Sequence, residues 1–108
     1  MTDIYIVTGV PESHVEAVLD AIAEAGGGRV GAYSHCAFTN PGIGRFKPDD
    51  SADPYTGTIG VINRVDEWRI ETFCPRDKAR AVVDAIRYAH PYETPVIYAM
   101  PLLDLDTL

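Results

Sequence analysis

Apolar positions along this chain recur with two periods, and the switches between them mark its elements. Residues 3–8 are rich in β-branched types and read as a strand, which Gly9-Val10-Pro11 turns into the next element. Val15, Val18, Leu19 and Ile22 then return at helical spacing. Glu12, Glu16, Asp20 and Glu24 lie on the other side, so an amphipathic helix with an acidic outer face is expected. Pro11 suits its first turn, and Gly26-Gly27-Gly28 ends it. A second strand is expected over Val30 to Phe38. From 40 to 60 the pattern dissolves into a long loop crowded with Gly, Pro and Asp, with Thr58 to Ile62 as a short strand at its end. Glu67 to Phe73 reads as the third main strand. Ala79, Val82, Val83 and Ile86 form the stripe of a second helix with a largely basic surface, and Val96 to Met100 reads as the last strand.

Between that helix and the last strand lies His90-Pro91-Tyr92-Glu93-Thr94-Pro95-Val96. Each proline fixes its own φ and pushes the residue before it out of the helical region. The helix must therefore stop near Ala89, and an imidazole, a phenol and a carboxylate sit on a stiff corner. An internal repeat sets the topology. Val18-Leu19-Asp20-Ala21-Ile22 matches Val82-Val83-Asp84-Ala85-Ile86 at an offset of 64 (82 minus 18), which also superposes Pro11 on Pro75 and Ile6 on Ile70. Two strand-Pro-helix-strand units in tandem give an α+β, ferredoxin-like β-α-β-β-α-β sandwich, with two helices on one face of an antiparallel sheet.

At 108 residues the chain is one domain, 1–108, able to bury a core without disulfides or a structural metal. Its net charge of -7 repels phosphate backbones and anionic lipid, so neither nucleic acid nor membrane is expected as a partner. Cys36 and Cys74 are too few for a disulfide framework and lack C-x-x-C spacing, which points to a reduced, cytoplasmic setting. No apolar run approaches the roughly 18 residues that span a bilayer, and the segment from Met1 to Ile6 has no basic leader.

If Ile6 and Ile70 face the helices, alternation sends Tyr5, Val7, Arg69, Glu71 and Phe73 to the opposite face of the sheet. Placing Cys36 and Phe38 inward puts Tyr33 and His35 there too, with His35 near Glu71. A face this apolar is expected to pack against other subunits. His35, Cys36, Glu71, His90 and Glu93 are metal-ligand types, and imidazole with thiolate suits copper or zinc, although neighbours on one strand point apart. Against this stands a structural reading in which Cys36 and Cys74 are core thiols and His35 an interface histidine. Gly42-Ile43-Gly44-Arg45-Phe46-Lys47 is the second candidate, a loop whose backbone amides and two cations approach an anion, or else a cover over a sheet edge. The corner itself offers His90 and Glu93 as ligand groups, or Tyr92 as a packing residue with Glu93 satisfying backbone amides.

The His-Pro-Tyr-Glu-x-Pro corner resembles that of the CutA divalent-cation-tolerance proteins, which are PII-like trimers. The resemblance is closer to the CutA/PII-like domain inserted into the Nif-three-like dinuclear-metal-centre proteins. It extends to Tyr33-Ser34-His35-Cys36, Gly42 to Pro48, the Gly57 and Gly60 pair, and Glu67-Trp68-Arg69-Ile70-Glu71, nearly the whole chain. It implies a trimer that senses through the long loop after the second strand. The parent proteins' metal-binding halves have no counterpart here, so it implies no hydrolase or cyclohydrolase activity. The expected function is a non-catalytic trimeric protein that binds a small ligand or a divalent metal ion. The alternatives are a structural or interaction module without a small ligand, and a small enzyme using His35, Glu71 and His90.

Overall fold

The computed structural model describes residues 3–108; Met1 and Thr2, where the segment without a basic leader begins, lie outside the described residues. The chain runs β1 (Asp3–Val10), α1 (Val15–Glu24), β2 (Phe38–Phe46), β3 (Asn63–Pro75), α2 (Ala79–Ala89) and β4 (Ile97–Pro101), with a short 3-10 turn before each helix and another over Leu105–Thr107. The strands form one antiparallel sheet in the order β2-β3-β1-β4, and both helices cover one face of it. This is the expected β-α-β-β-α-β sandwich. No helix among the described residues is long and apolar enough to cross a membrane.

The repeat is visible in three dimensions. Pro11 (φ -62°, ψ 147°) and Pro75 (φ -58°, ψ 147°) adopt the same extended conformation ahead of the same 3-10 turn and helix. Ile6 and Ile70 occupy equivalent, fully buried places, as do Val18 and Val82, and Ile22 and Ile86. Each of these aliphatic side chains contributes roughly 1.5–3 kcal/mol by leaving water, so the two stripes facing the sheet are the main source of stability. α1 ends where Gly26 takes φ +101°, a conformation open to glycine, and Gly27 N–H returns to Ile22 O at 2.9 Å. α2 ends as the prolines require, with His90 extended (ψ 137°) and its N–H on Ile86 O.

Two strand expectations are corrected. Of the strand expected over Val30 to Phe38 only Phe38 is in one: residues 30–37, apart from one isolated bridge between Val30 and Tyr33, make an irregular crossing from α1 to the sheet. Gly28 anchors that crossing, giving its N–H to Phe73 O at 2.7 Å and its carbonyl to Cys36 N–H at 2.8 Å. The strand instead runs through Asn40-Pro41-Gly42, residues read as breakers. Proline is tolerated because β2 is an edge strand, bonded on one side only. The long loop is therefore shorter than 40–60, spanning 47–62, and the short strand expected over Thr58–Ile62 is a turn. Asn63 clasps that turn, accepting from Thr58 N–H and donating to the carbonyls of Thr58 and Val61.

Register fixes the faces. Ile4, Ile6 and Thr8 lie opposite Cys74, Thr72 and Ile70 on the helix side. Tyr5 and Val7 share the other face with Phe73, Glu71, Tyr98 and Met100, as alternation predicts. Phe38 lies opposite Glu71, so it belongs to this open face and is 66% exposed, rather than inward. Tyr33 and His35 leave the sheet altogether. His35 has φ +59° and its Nε2 lies 3.8 Å from Asp20 Oδ1 on α1, so it does not meet Glu71. The first and last strands emerge side by side: Ile4 faces Pro101, and Leu102 N–H bonds Asp3 O at 2.9 Å.

Candidate functional site

β3 is longer than β1, so the β2–β3 hairpin projects past the end of β1 at Val10, which pairs with Trp68. The loop 47–62 folds back beside that projection, and the proline corner rounds the end of β1 from the helix side. Between them lies a cleft of about 350 Å3, walled by Phe46, Pro48, Tyr55 and Tyr92 and reaching Glu67 and Val96.

Glu67 lies at the back of this cleft. Neither flank leaves room for a side chain: a methyl group at Gly44 would lie 2.5 Å from Glu67 Cδ, and one at Gly9 would lie 2.6 Å from Oε1. Glycine on β1 and glycine on β2 thus let the carboxylate lie down against the sheet. Tyr92 Oη donates to Glu67 Oε2 at 2.7 Å. Burial, followed by this bond and the negative charge beside it, pushes the phenol well above its ordinary range, so Tyr92 stays a donor at any physiological pH.

His90 holds the corner in place. It is 6% exposed; its Nε2–H donates to Gly9 O at 2.7 Å and its Nδ1 accepts from Tyr92 N–H at 3.2 Å, a pattern that fixes the neutral tautomer. Desolvation holds its pKa below the ordinary 6.5, although the Gly9 carbonyl and Glu67 favour the cation. The ring packs at a tilt against Tyr92, centroids 4.7 Å apart, Tyr92 likewise against Tyr55 at 6.0 Å, and Tyr55 meets His14 edge-on. Glu93 Oε1 accepts from Asp53 N–H at 3.1 Å, tying the corner to the loop.

Four of the five residues of the proposed anion loop, Gly44, Arg45, Phe46 and Lys47, line this cleft, on and just beyond the end of a strand rather than in a loop. Gly42 lies further along the sheet in a shallower depression that shares Glu67. The five metal candidates do not converge. His35 is beside α1; Cys36 holds the crossing by its backbone, with its carbonyl accepting from Thr72 Oγ1; Glu71 is on the open face 3.5 Å from Arg69 Nε; and both ring nitrogens of His90 are committed. Among the described residues no three His, Cys, Asp or Glu side chains are grouped to hold a metal ion. Sequence reasoning missed Glu67, Gly9 and Tyr55. Alternation from Arg69 and Glu71 places Glu67 on the open face, but only the register of both neighbouring strands brings the two glycines to it.

No family model matches the chain. It is 49% identical over 86 residues to a Mycobacterium leprae protein named GTP cyclohydrolase 1 type 2 homolog, and 46% identical over 84 residues to the Bacillus subtilis protein of the same name. These alignments cover 80% and 78% of this chain but 22% of each relative, so the chain spans under a quarter of their length. A Bacillus cereus protein related to NIF3 superposes with a TM-score of 0.83 at 38% identity, over 95% of this chain and 26% of that one. The periplasmic divalent cation tolerance protein CutA of Archaeoglobus fulgidus superposes with a TM-score of 0.67 at 20% identity, over 94% of this chain and 85% of that one, a likeness of fold alone. The chain therefore has the CutA/PII-like fold and corresponds, over most of its length, to one segment of the larger NIF3-related proteins.

Proposed function

We propose that this chain is a non-catalytic CutA/PII-like binding module whose small-ligand site is the cleft between the hairpin projection and the proline corner, in a protein assembled as a homotrimer. The observation that carries the reading is the meeting, in one concave site, of the Arg45-Phe46-Lys47 segment, the Tyr92–Glu67 pair and an aromatic wall. Convergent polar groups in an apolar cleft are the usual form of a small-molecule site. The committed nitrogens of His90 favour binding over turnover, and a small ligand over a copper or zinc ion. The cyclohydrolase in the relatives' name belongs to proteins of which this chain matches under a quarter. The trimer is supported by the open sheet face, where Phe38 and Tyr98 are 66% and 61% exposed beside Tyr5, Val7 and Phe73. Such a contiguous apolar face is rarely left to solvent.

Native mass spectrometry of the untagged protein, purified without chelator, tests both parts. A trimer carrying a stoichiometric non-protein mass, lost when Gly44→Val fills the cleft, is expected. An apo trimer of unchanged mass in both proteins points instead to an interaction module, and a monomer overturns the assembly.

A further inference from the structure

The charges around the cleft are of both signs and unpaired among the described residues. The ion pairs among the described residues are His35–Asp20, Arg69–Glu71 and Arg87–Asp84; Glu67, Arg45 and Lys47 take part in none. Glu67 spends one oxygen on the Tyr92 hydroxyl, and among the described residues no side chain or backbone N–H bonds the other. Glu67 thus presents one carboxylate oxygen, without a countercharge among the described residues, to a cleft that Phe46, Tyr55 and Tyr92 also line, a setting that favours an arriving cation. Arg45 and Lys47 line the same cleft from β2 and its exit.

We infer that the cleft takes a small zwitterion of the α-amino-acid type. Its ammonium group bonds the free oxygen of Glu67, its carboxylate is held by Arg45 and Lys47, and its apolar side chain lies among Phe46, Tyr55 and Tyr92. This rests on the reading of the cleft as a ligand site. The rings suit the ligand twice over: they give apolar area to its side chain, and their faces attract an ammonium group. Gly9 and Gly44 reserve the depth that Glu67 needs, since any side chain there drives the carboxylate out.

Isothermal titration with L-phenylalanine, phenethylamine and 3-phenylpropionate separates the two charges. L-Phenylalanine is expected to bind saturably and at least about tenfold more tightly than either single-charge analogue, a difference of about 1.4 kcal/mol. Glu67→Gln is expected to remove the advantage over 3-phenylpropionate while leaving the binding of 3-phenylpropionate itself unaffected. Equal binding of phenylalanine and 3-phenylpropionate, or of phenylalanine to Glu67→Gln and the unaltered protein, overturns the inference. So does the absence of binding by all three at about 10 mM, a concentration that detects even millimolar affinity. A Gly44→Val-sensitive ligand mass in the spectrometer would then leave the cleft a ligand site of other chemistry. Thermal melting of both variants, unchanged within a few degrees, excludes misfolding as the cause.

Discussion

His90 shows how much a single side chain settles at the corner. A helix-ending histidine before proline is expected to be extended from local rules alone, and it is; what local rules do not give is the bond from Nε2 to Gly9, 81 residues away. The burial that accompanies that bond, not the bond itself, links the ring's charge state to folding. Because burial lowers its pKa in the folded chain, the unfolded chain binds a proton first, near 6.5. The contribution is therefore complete above that value and is lost as pH falls below it, towards the folded pKa. The midpoint of urea denaturation is expected to drop between about pH 7 and about pH 5, and His90→Asn, less stable at neutral pH, is expected to show a flatter profile over that window. A parallel decline in both proteins would remove His90 as the cause. Tyr92 depends on this ring for its backbone position, so the hydroxyl that holds Glu67 is supported two residues upstream. The two prolines drew attention to these corner residues, whereas Glu67 stood inside a motif read as strand and as part of the family resemblance, with no role at a site.

At the scale of elements, periodicity located both helices, β1 and β3, since each carries a buried stripe that local spacing reports, whereas β4, with no buried residue, was legible only as a short apolar run after the prolines. The misplaced second strand is where that signal is weakest. Val30, Tyr33 and Cys36 look like strand residues, yet Val30 and Tyr33 are exposed. The true strand contains Asn40, Pro41, Gly42 and Gly44, chosen for an edge position and for the approach of Glu67 rather than for β propensity. The difference has a chemical consequence for the two cysteines. Cys74, fully buried on β3 with its thiol pKa raised by burial and then by Asp3 and Asp77, is expected to resist alkylation until the protein unfolds. Cys36, half-exposed on the crossing, is expected to react in the native state. One fast and one denaturant-dependent thiol in a mass-resolved maleimide time course is the expected result; two equally fast thiols would contradict the placement of Cys74.

For the molecule as a whole, the repeat was the strongest guide. It gave topology from sequence because the same strand, proline and helix had to pack twice on one sheet. It gave no information about assembly, for which the open face is the proposed seat. Tyr98→Glu introduces a charge on that face from the edge strand β4, at a position 61% exposed in a single subunit. As a surface change it should alter the stability of an isolated subunit by no more than about 0.5 kcal/mol. In sedimentation, the trimer is expected to give way to monomer. A variant that stays trimeric would move the interface elsewhere.

The neighbouring ends of β1 and β4 bear on how such a fold travels between proteins. Entry and exit meet at one point on the rim, so the sheet can interrupt a loop of a larger polypeptide without forcing that loop apart. Its closure depends on pairing the earliest strand with two much later ones, which ties both ends down from within. A host chain joined at that point would thus neither support the fold nor strain it, and would be free to change around it.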